Sequence, residues 1–252
     1  MKKAVVISAL LVFILGGVEL VHATPVLYIE YSSGSGSGGV LVVDDNVGVP
    51  SSLPSWISGY SSGTDSDTNP GEISYSATNL GPFSVIVTLG ITYPSIGTSV
   101  MPRMHLNHVE VQSSGGSGTL TIWFSEIGLG PLAVPGFYTH AGGTGSQGEV
   151  EVWSYVDTGN TYFGTGTQLA DLGPFLLGST GSSFGATTSY VDSSLLGSTI
   201  SMTTKTKIEL NGGTISSADV EVDPVPEPAT LLLFGTGIAG IAGVVARRRK
   251  RR

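Results

Sequence analysis

The chain has 252 residues, of which 37 are glycine and none is cysteine, and its formal net charge at pH 7 is −8. The lack of thiols excludes disulfides, thiolate metal sites and cysteine nucleophiles. Between residues 24 and 226 lie 17 of the 19 acidic residues but only three of the 11 basic ones. This excess of negative charge excludes nucleic acid as a partner, because it repels the phosphate backbone.

The first 23 residues have the composition of a secretory signal peptide. Lys2 and Lys3 supply a positive start, and an apolar stretch follows over residues 4–18. Val21-His22-Ala23 then offers small or modest residues at the positions of a cleavage site. We predict cleavage after Ala23. An uncleaved anchor is the alternative, and it is less favoured because the apolar stretch is short for a membrane span.

Residues 24–223 are dominated by period-two alternation of apolar and polar side chains, which predicts β-strands. The longest alternating segments are 83–93, 119–125, 149–157 and 199–210, and the shorter ones are 27–31, 40–43 and 219–223. No segment shows the spacing of an amphipathic helix. Strands with one apolar face need a second sheet to cover that face. We therefore predict an all-β domain, an antiparallel β-sandwich of jelly-roll type.

Details of the pattern predict local features. In 83–93 the odd-numbered residues from Phe83 to Tyr93 are expected on one face, whereas the alternation slips within 104–112, which predicts a bulge or a strand buried on both faces. Segments 32–39 and 113–118 are rich in glycine and serine and are predicted as loops. Segment 51–79 is predicted as a longer polar loop around Trp56 and Tyr60.

Three aromatic residues, Trp123, Trp153 and Tyr155, fall on the polar face of their strands. Aromatic rings on a sheet can stack against sugars, because the ring face is apolar and a sugar ring presents C–H groups. Glu151 and Asp157 share the face of Trp153 and could accept hydrogen bonds from hydroxyl groups. These five residues form a candidate carbohydrate site. The alternative is that a loop or third layer covers the rings.

Two short motifs resemble catalytic or metal-binding patterns but fail on spacing or order. Segment 181–185 matches G-x-S-x-G, yet a nucleophile elbow needs a later histidine and the last one, His140, precedes it; a glycine–serine loop is predicted instead. His105 and His108 point to opposite faces of a strand, so a shared metal is not expected. Glu149 and Glu151 lie about 7 Å apart on one strand face, and without a cleft they do not predict glycosidase chemistry.

The segment 65–72 alternates carboxylates and an amide, as calcium-binding loops do. The EF-hand register wants glycine at its sixth position and glutamate at its twelfth, where this chain has Pro70 and Ser76. A solvated polar loop is the favoured interpretation, and calcium is the alternative. We predict no catalytic residue, metal or cofactor, and hence a protein that is not an enzyme.

The C-terminal end has three parts. Val225-Pro226-Glu227-Pro228 is extended by its prolines, residues 231–246 are apolar and small, and residues 247–252 are all basic. The apolar part is about 24 Å long as a helix, barely enough to cross a hydrocarbon core. Its basic end stays in the cytoplasm, which places the preceding domain outside the inner membrane.

This three-part arrangement over residues 224–252 resembles the PEP-CTERM sorting domain of Gram-negative bacteria. The resemblance implies processing by an exosortase at or near Pro226, Glu227 and Pro228, after transient anchoring through the C-terminal helix. The product is then at the cell surface or extracellular, and such proteins often occur in bacteria that make exopolysaccharide or biofilm. Segments 104–127 and 201–222 resemble ectodomains found before such signals, which supply no activity.

Taken together, the sequence divides into a signal peptide (1–23), an ectodomain (24–223) and a sorting signal (224–252). The first hypothesis for the ectodomain is a structural or interaction protein of the cell surface or matrix, linked to exopolysaccharide or biofilm. The alternative is a carbohydrate-binding module that tethers exopolysaccharide. A polysaccharide-active enzyme is the least favoured.

Processing at both ends can be tested by intact mass. We expect the secreted form to lack residues 1–23 and everything beyond the Pro-Glu-Pro motif, because both segments have the composition of removable signals. A secreted chain that still carries residues 247–252 would contradict the sorting interpretation.

Overall fold

The computed structural model describes residues 24–114 and 116–225 of the chain. Two predicted segments lie outside the described residues: the signal peptide with Ala23, and the sorting signal from Pro226 onward, with Glu227 and Pro228. Strand accounts for 66% of the described residues and helix for 3%, which confirms the all-β prediction. Within the described ranges, no helix has both the length and the apolar character needed to cross a membrane.

The described residues form thirteen strands and two single turns of 3₁₀ helix, Asp44–Asn46 and Ser193–Leu195. The strands are β1 Val26–Ser33, β2 Gly36–Val43, β3 Tyr60–Ser62, β4 Glu72–Leu80, β5 Phe83–Ile91, β6 Gly97–Thr98, β7 Met101–Pro102, β8 Met104–Ser113, β9 Ser117–Leu129, β10 Gly136–Asp157, β11 Thr167–Leu177, β12 Ser182–Val191 and β13 Ile200–Pro224.

Two long strands, β10 and β13, form the centre of the fold. They pair antiparallel from Phe137 opposite Pro224 to Asp157 opposite Ser201. The register shifts twice near the middle, once after Thr144 and once before Gly148. A Cβ on Gly148 or Gly213 would collide with a carbonyl oxygen of the opposite strand, so this irregular crossing requires glycine.

Each half of the long pair belongs to a different layer. The first layer runs β3–β2–β1–β9, then the first half of β13, the second half of β10, and β11. The second layer runs β4–β5–β8, then the second half of β13, the first half of β10, and β12. All neighbours pair antiparallel except β2 and β3. The sheet is thus a β-sandwich whose two layers share their central strands.

The inward faces of both layers meet in one hydrophobic core. Leu120, Ile122 and Phe124 of β9 are fully buried. A Cβ on Gly90 of β5 would lie 3.1 Å from the Phe124 ring, so the two layers pack in direct contact there. Val150, Val152 and Val156 of β10 are buried as the alternation predicts, and so are Ile200, Met202, Ile208 and Leu210 of β13.

The predicted slip in 104–112 is present as an irregularity at His108, whose φ is +52°. Leu106 and Val109 are both fully buried, although they differ in parity. The alternation of β5 shifts by one residue opposite His108, because Val87 faces inward opposite Val109 and Gly90 faces inward opposite Leu106. The prediction that Leu89 and Ile91 share the face of Phe83 was therefore wrong.

Three loop predictions also need correction. Residues 72–79 lie in β4 and not in a loop, while 36–39 belong to β2. Segment 182–185 lies in β12, an edge strand paired with residues 142–145 of β10. These segments are rich in glycine, serine and threonine, so their composition mimics a loop although their backbone groups pair with a neighbouring strand.

The layered core predicts a sharp contrast between two leucines on strands. Leu120→Ala should lower the free energy of unfolding by about 2–5 kcal/mol, because the cavity lies in the core between the layers. Leu176→Ala, at an exposed position of β11, should change it by less than about 0.5 kcal/mol. Chemical denaturation measures both; equal effects would contradict the packing described.

Candidate functional site

The outer face of the first layer carries the aromatic residues that the sequence singles out. Two loops, 47–59 and 158–166, cover the part of this face formed by β2, β1 and β9. They bury a second apolar cluster, which contains Val26, Tyr28, Leu41, Val43, Ile57, Trp123, Tyr162 and Phe163. The part formed by β13, β10 and β11 stays outside this cluster, so the face is half covered and half open.

A row of side chains runs from the covered part of this face to the open part. Trp123 of β9, Lys205 of β13 and Trp153 of β10 stand directly opposite one another. The Lys205 ammonium lies 4.6 Å from the centre of the Trp123 ring and 4.8 Å from that of Trp153. These are cation–π distances, so the ammonium is attracted to the faces of both rings. We call these three residues the lysine–tryptophan row.

Trp123 is the covered end of the row. Its side chain is only 8% exposed, its Nε1 donates to Glu30 Oε1 at 3.2 Å, and its ring centre lies 5.0 Å from that of Trp56. For Trp123, the alternative prediction that a loop covers the ring is therefore the correct one. Trp56 itself is 46% exposed and presents an aromatic surface above the strands. Trp153 is half-buried, at the open end of the row.

Two shallow grooves run over the same face and meet at Thr119. The first has a volume of about 520 Å³ and is lined by Trp56, Tyr28, Glu30 and Thr121, among others. The second, of about 840 Å³, continues over Glu149, Glu209 and Leu176 toward β11. Together they follow a path across the strands, from the exposed tryptophan to a set of carboxylates.

Glu151 lies beside the lysine–tryptophan row and is paired with a lysine. Lys207 Nζ lies 3.3 Å from Glu151 Oε2 and 2.6 Å from Glu209 Oε1. The contact with Glu209, followed by that with Glu151, raises the pKa of Lys207. The lysine thus holds two carboxylates in place along the strands, with oxygens that can accept hydrogen bonds from hydroxyl groups.

The last two predicted site residues have different surroundings. Tyr155 is half-buried, and burial followed by the nearby charge of Asp171 raises its pKa. Asp157 accepts from the Gly159 amide at 3.0 Å and from Thr161 Oγ1 at 2.8 Å. Its carboxylate therefore organises the loop 158–166, which covers Trp123, and is not open for a ligand in this arrangement.

The second layer carries the three histidines of the described residues, which are His105, His108 and His140. His105 Nε2 lies 2.9 Å from Asp223 Oδ1, and Glu221 is close enough to complete a three-residue metal-type cluster. Arg103 Nε also lies 3.3 Å from Asp223, and Tyr138 donates to the same carboxylate at 2.7 Å. Arg103, His105 and Tyr138 thus all contact the Asp223 carboxylate, and these contacts hold the cluster together.

His108 does not join this cluster. Its backbone N–H donates to Asp219 Oδ1 at 2.7 Å and its ring lies 2.8 Å from Glu110 Oε1.

The two remaining motifs are structural. In the segment 65–72, Asp65 Oδ1 accepts from the amides of Asp67 and Ser74, and Asp67 Oδ1 accepts from that of Asn69. These carboxylates satisfy backbone groups of their own region. In the G-x-S-x-G segment, Ser183 is exposed near the start of β12, where it pairs with Thr144, and not at the strand-to-helix turn of a nucleophile elbow.

Comparison with known protein families identifies the C-terminal segment. Residues 224–250 match the model of the PEP-CTERM protein-sorting motif, so the chain carries this motif. The motif implies an exported protein that is transiently anchored in the membrane and processed by an exosortase. No curated protein matches the chain.

Several solved structures are similar to parts of the chain at low scores. A Stig cyclase, Fisc, from Fischerella sp. TAU is 11% identical, with 60% of this chain and 90% of that chain covered and a TM-score of 0.28. The xylan-binding module CBM15 is 10% identical, with 63% and 100% covered and a TM-score of 0.26. TmCBM61, in complex with β-1,4-galactotriose, is 10% identical, with 60% and 84% covered and a TM-score of 0.23. At these scores the likenesses carry no argument about function.

The hydrogen bonds of Asp157 predict a structural role for it. Asp157→Ala should lower the free energy of unfolding by about 1–3 kcal/mol, because the loop 158–166 loses its charged acceptor. Asp157→Asn keeps one acceptor oxygen and should cost less. Denaturation followed by tryptophan fluorescence measures both, since the loop covers Trp123. Unchanged stability in the alanine variant would show that the carboxylate does not hold the loop.

Proposed function

We propose that this exported protein, which carries a PEP-CTERM protein-sorting motif, is a non-catalytic interaction protein of the cell surface or matrix that binds neutral polysaccharide. The binding surface is the outer face of the first layer, from the exposed Trp56 on loop 47–59 to the open part over β13, β10 and β11. The single observation that carries the proposal is the lysine–tryptophan row beside the cross-strand grooves. The protein takes up this role after removal of its C-terminal signal.

The aromatic rings suit sugars because of how they are held. Trp153 and Trp56 each present part of a rigid ring to solvent. A sugar ring can cover such a surface with its C–H groups while its hydroxyls reach the polar atoms around it. Trp153 contacts Lys205, and Trp56 packs against Tyr28 and Trp123. Side chains that already have such contacts lose little conformational freedom when a ligand binds, which lowers the entropic cost of association.

The polar groups around the rings favour an uncharged ligand. Glu30, Glu149, Glu151 and Glu209 lie in or beside the grooves, whereas Lys205 and Lys207 are already engaged with rings and carboxylates. An anionic polymer would meet net negative charge here, and like charges repel. Carboxylate oxygens are good acceptors for sugar hydroxyls.

The same features argue against catalysis as the main role. The grooves are shallow and open, and a glycosidase needs two carboxyl groups that flank one bond in a cleft. Glu151 and Glu209 share Lys207 as an ion-pair partner. We therefore propose that these carboxylates hold and orient hydroxyl groups without acting on a glycosidic bond.

The proposal predicts which tryptophans matter. On an array of neutral oligosaccharides, Trp153→Ala and Trp56→Ala should each weaken binding by about 1–3 kcal/mol, the scale of one apolar contact surface. Leu196→Ala is the control, because Leu196 has the same 46% exposure as Trp56 but lies in the turn before β13. It should leave binding unchanged.

Thermal melting of the same variants separates binding from folding. If Trp153→Ala melts far below the wild type, the ring is part of the core and its effect on binding does not count. If the wild type binds no glycan on the array, the polysaccharide proposal fails and a protein partner on this face becomes the better hypothesis.

A further inference from the structure

Two carboxylates are enclosed between the layers at one end of the sandwich. Val26 stands opposite Val43 of β2 and Ser125 of β9, so the next residues outward, Asp44 and Glu126, lie two strands apart in one row. Both are removed from solvent, with Asp44 4% and Glu126 0% exposed. Side chains in one row point to the same face, which here is the face toward the second layer.

The second layer holds one oxygen of each carboxylate. The Gly71 amide donates to Asp44 Oδ2 at 2.8 Å, and Thr92 Oγ1 donates to Glu126 Oε2. The Thr92 amide in turn donates to the Gly71 carbonyl at 2.8 Å, so the two donors are tied together. The backbone at Gly71 and the Thr92 hydroxyl thus hold both carboxylates at this end of the interlayer space.

The other oxygen of each carboxylate has no partner. Asp44 Oδ1 and Glu126 Oε1 are buried, and no donor in 24–114 or 116–225 has hydrogen-bond geometry to either atom. The nearby backbone amides of Asp45 and Tyr93 still lower the pKa of Asp44 and of Glu126, but by less than burial raises it. Burying an ionised oxygen without a partner is costly, and two of them close together cost more. Burial raises the pKa of Glu126 to about 8, and the charge of Asp44 contributes to that rise. Burial also raises the pKa of Asp44 to about 7.

No side-chain cation of the described part compensates this pair. Arg103 contacts Asp223, Lys205 lies between two tryptophan rings, and Lys207 pairs with two glutamates on the outer face. These are the only lysines and arginines between residues 24 and 226. Within the described residues, the pair thus has no lysine or arginine partner that would favour its ionised form.

We propose that Asp44 and Glu126 bind a divalent cation, Ca²⁺, between the layers through Asp44 Oδ1 and Glu126 Oε1. Both are hard oxygen ligands, and Ca²⁺ accepts such ligands in irregular arrangements completed by backbone carbonyls and water. One Ca²⁺ cancels the charge of the pair. Weak calcium sites of extracellular modules, with Kd of about 10⁻⁴ to 10⁻³ M, suit the exported location that the sorting motif implies.

The segment 65–72 supports this site and does not form it. Asp65 uses Oδ1 for the amides of Asp67 and Ser74, and Oδ2 for that of Asp45. These bonds fix the loop beside Asp44 but leave the loop carboxylates already satisfied. The ion therefore joins the end of β2 and the strand β9 to the backbone around Gly71 and Thr92.

The test uses the full-length protein in detergent, freed of metal with a chelator. Addition of about 5 mM CaCl₂ should raise the Tm by a few degrees, and calorimetric titration should show one Ca²⁺ per chain. MgCl₂ should have a smaller effect, since Mg²⁺ demands octahedral geometry and gives up its water reluctantly. Asp44→Asn and Glu126→Gln should each abolish the Tm shift and weaken Ca²⁺ binding at least tenfold.

Asp45→Asn is the matched control, because it makes the same charge change at the adjacent, exposed residue. It should keep the response to Ca²⁺. In chelator, Glu126→Gln should melt no lower than the wild type, because the amide removes a buried charge. If Asp44→Asn does not fold, Glu126→Gln decides alone.

Three results would overturn the proposal. They are a wild type that neither binds Ca²⁺ nor shifts its Tm, a full Ca²⁺ response in Glu126→Gln, and a response lost only in Asp45→Asn. The first would mean that the carboxylates are protonated in the folded protein, and the third would move the site to the exposed loop. None of these outcomes depends on glycan binding.

Discussion

The pairing of β10 with β13 is the constraint on which the rest of the structure depends. Strands of 22 and 25 residues stay paired across both layers, so each half of the pair supplies the centre of one layer. The price is a crossing in which Gly148 and Gly213 approach the opposite backbone too closely for any side chain. Every other large strand finds its place by pairing with one half of this unit, directly or through a neighbour.

The same pairing determines which side chains lie next to one another on the outer face of the first layer. Lys205 reaches two tryptophans because β13 lies between β9 and β10 in one register. A slip of one residue would turn Lys205 into the core and bring Thr204 or Thr206 outward. The buried alternation of β13 opposes that slip, since Met202 and Ile208 would lose their places between the layers. The core thus fixes the geometry of the lysine–tryptophan row.

How much of the fold and of the site could be predicted from the sequence depends on how far apart in the chain the contacting residues lie. Alternation in β9 identifies Leu120, Ile122 and Phe124 as core, because period two is a local property. The contact of Trp123 with Lys205 needs the register of strands about 80 residues apart, which no local pattern contains. Trp56 lies in a loop without periodicity. Glu126 has the same alternation as Leu120, Ile122 and Phe124 and therefore points into the core. A charged residue at that position predicts the end of a strand, so its burial is evident only from the packing of the two layers.

The few cations of the domain show what its ion pairs are for. Lys207 and Glu209 are partly exposed, and an exposed pair adds little to stability because water and salt screen it. Its effect is on geometry: the ammonium holds the oxygens of Glu151 and Glu209 in defined positions beside Trp153. A ligand that meets acceptors and a ring already in place gives up less of its binding free energy to ordering the protein. The domain thus uses two of its three lysine and arginine side chains to preorganise one face, and the third, Arg103, contacts Asp223. No lysine or arginine of residues 24–226 is left for the enclosed acidic pair at the end of the same layer.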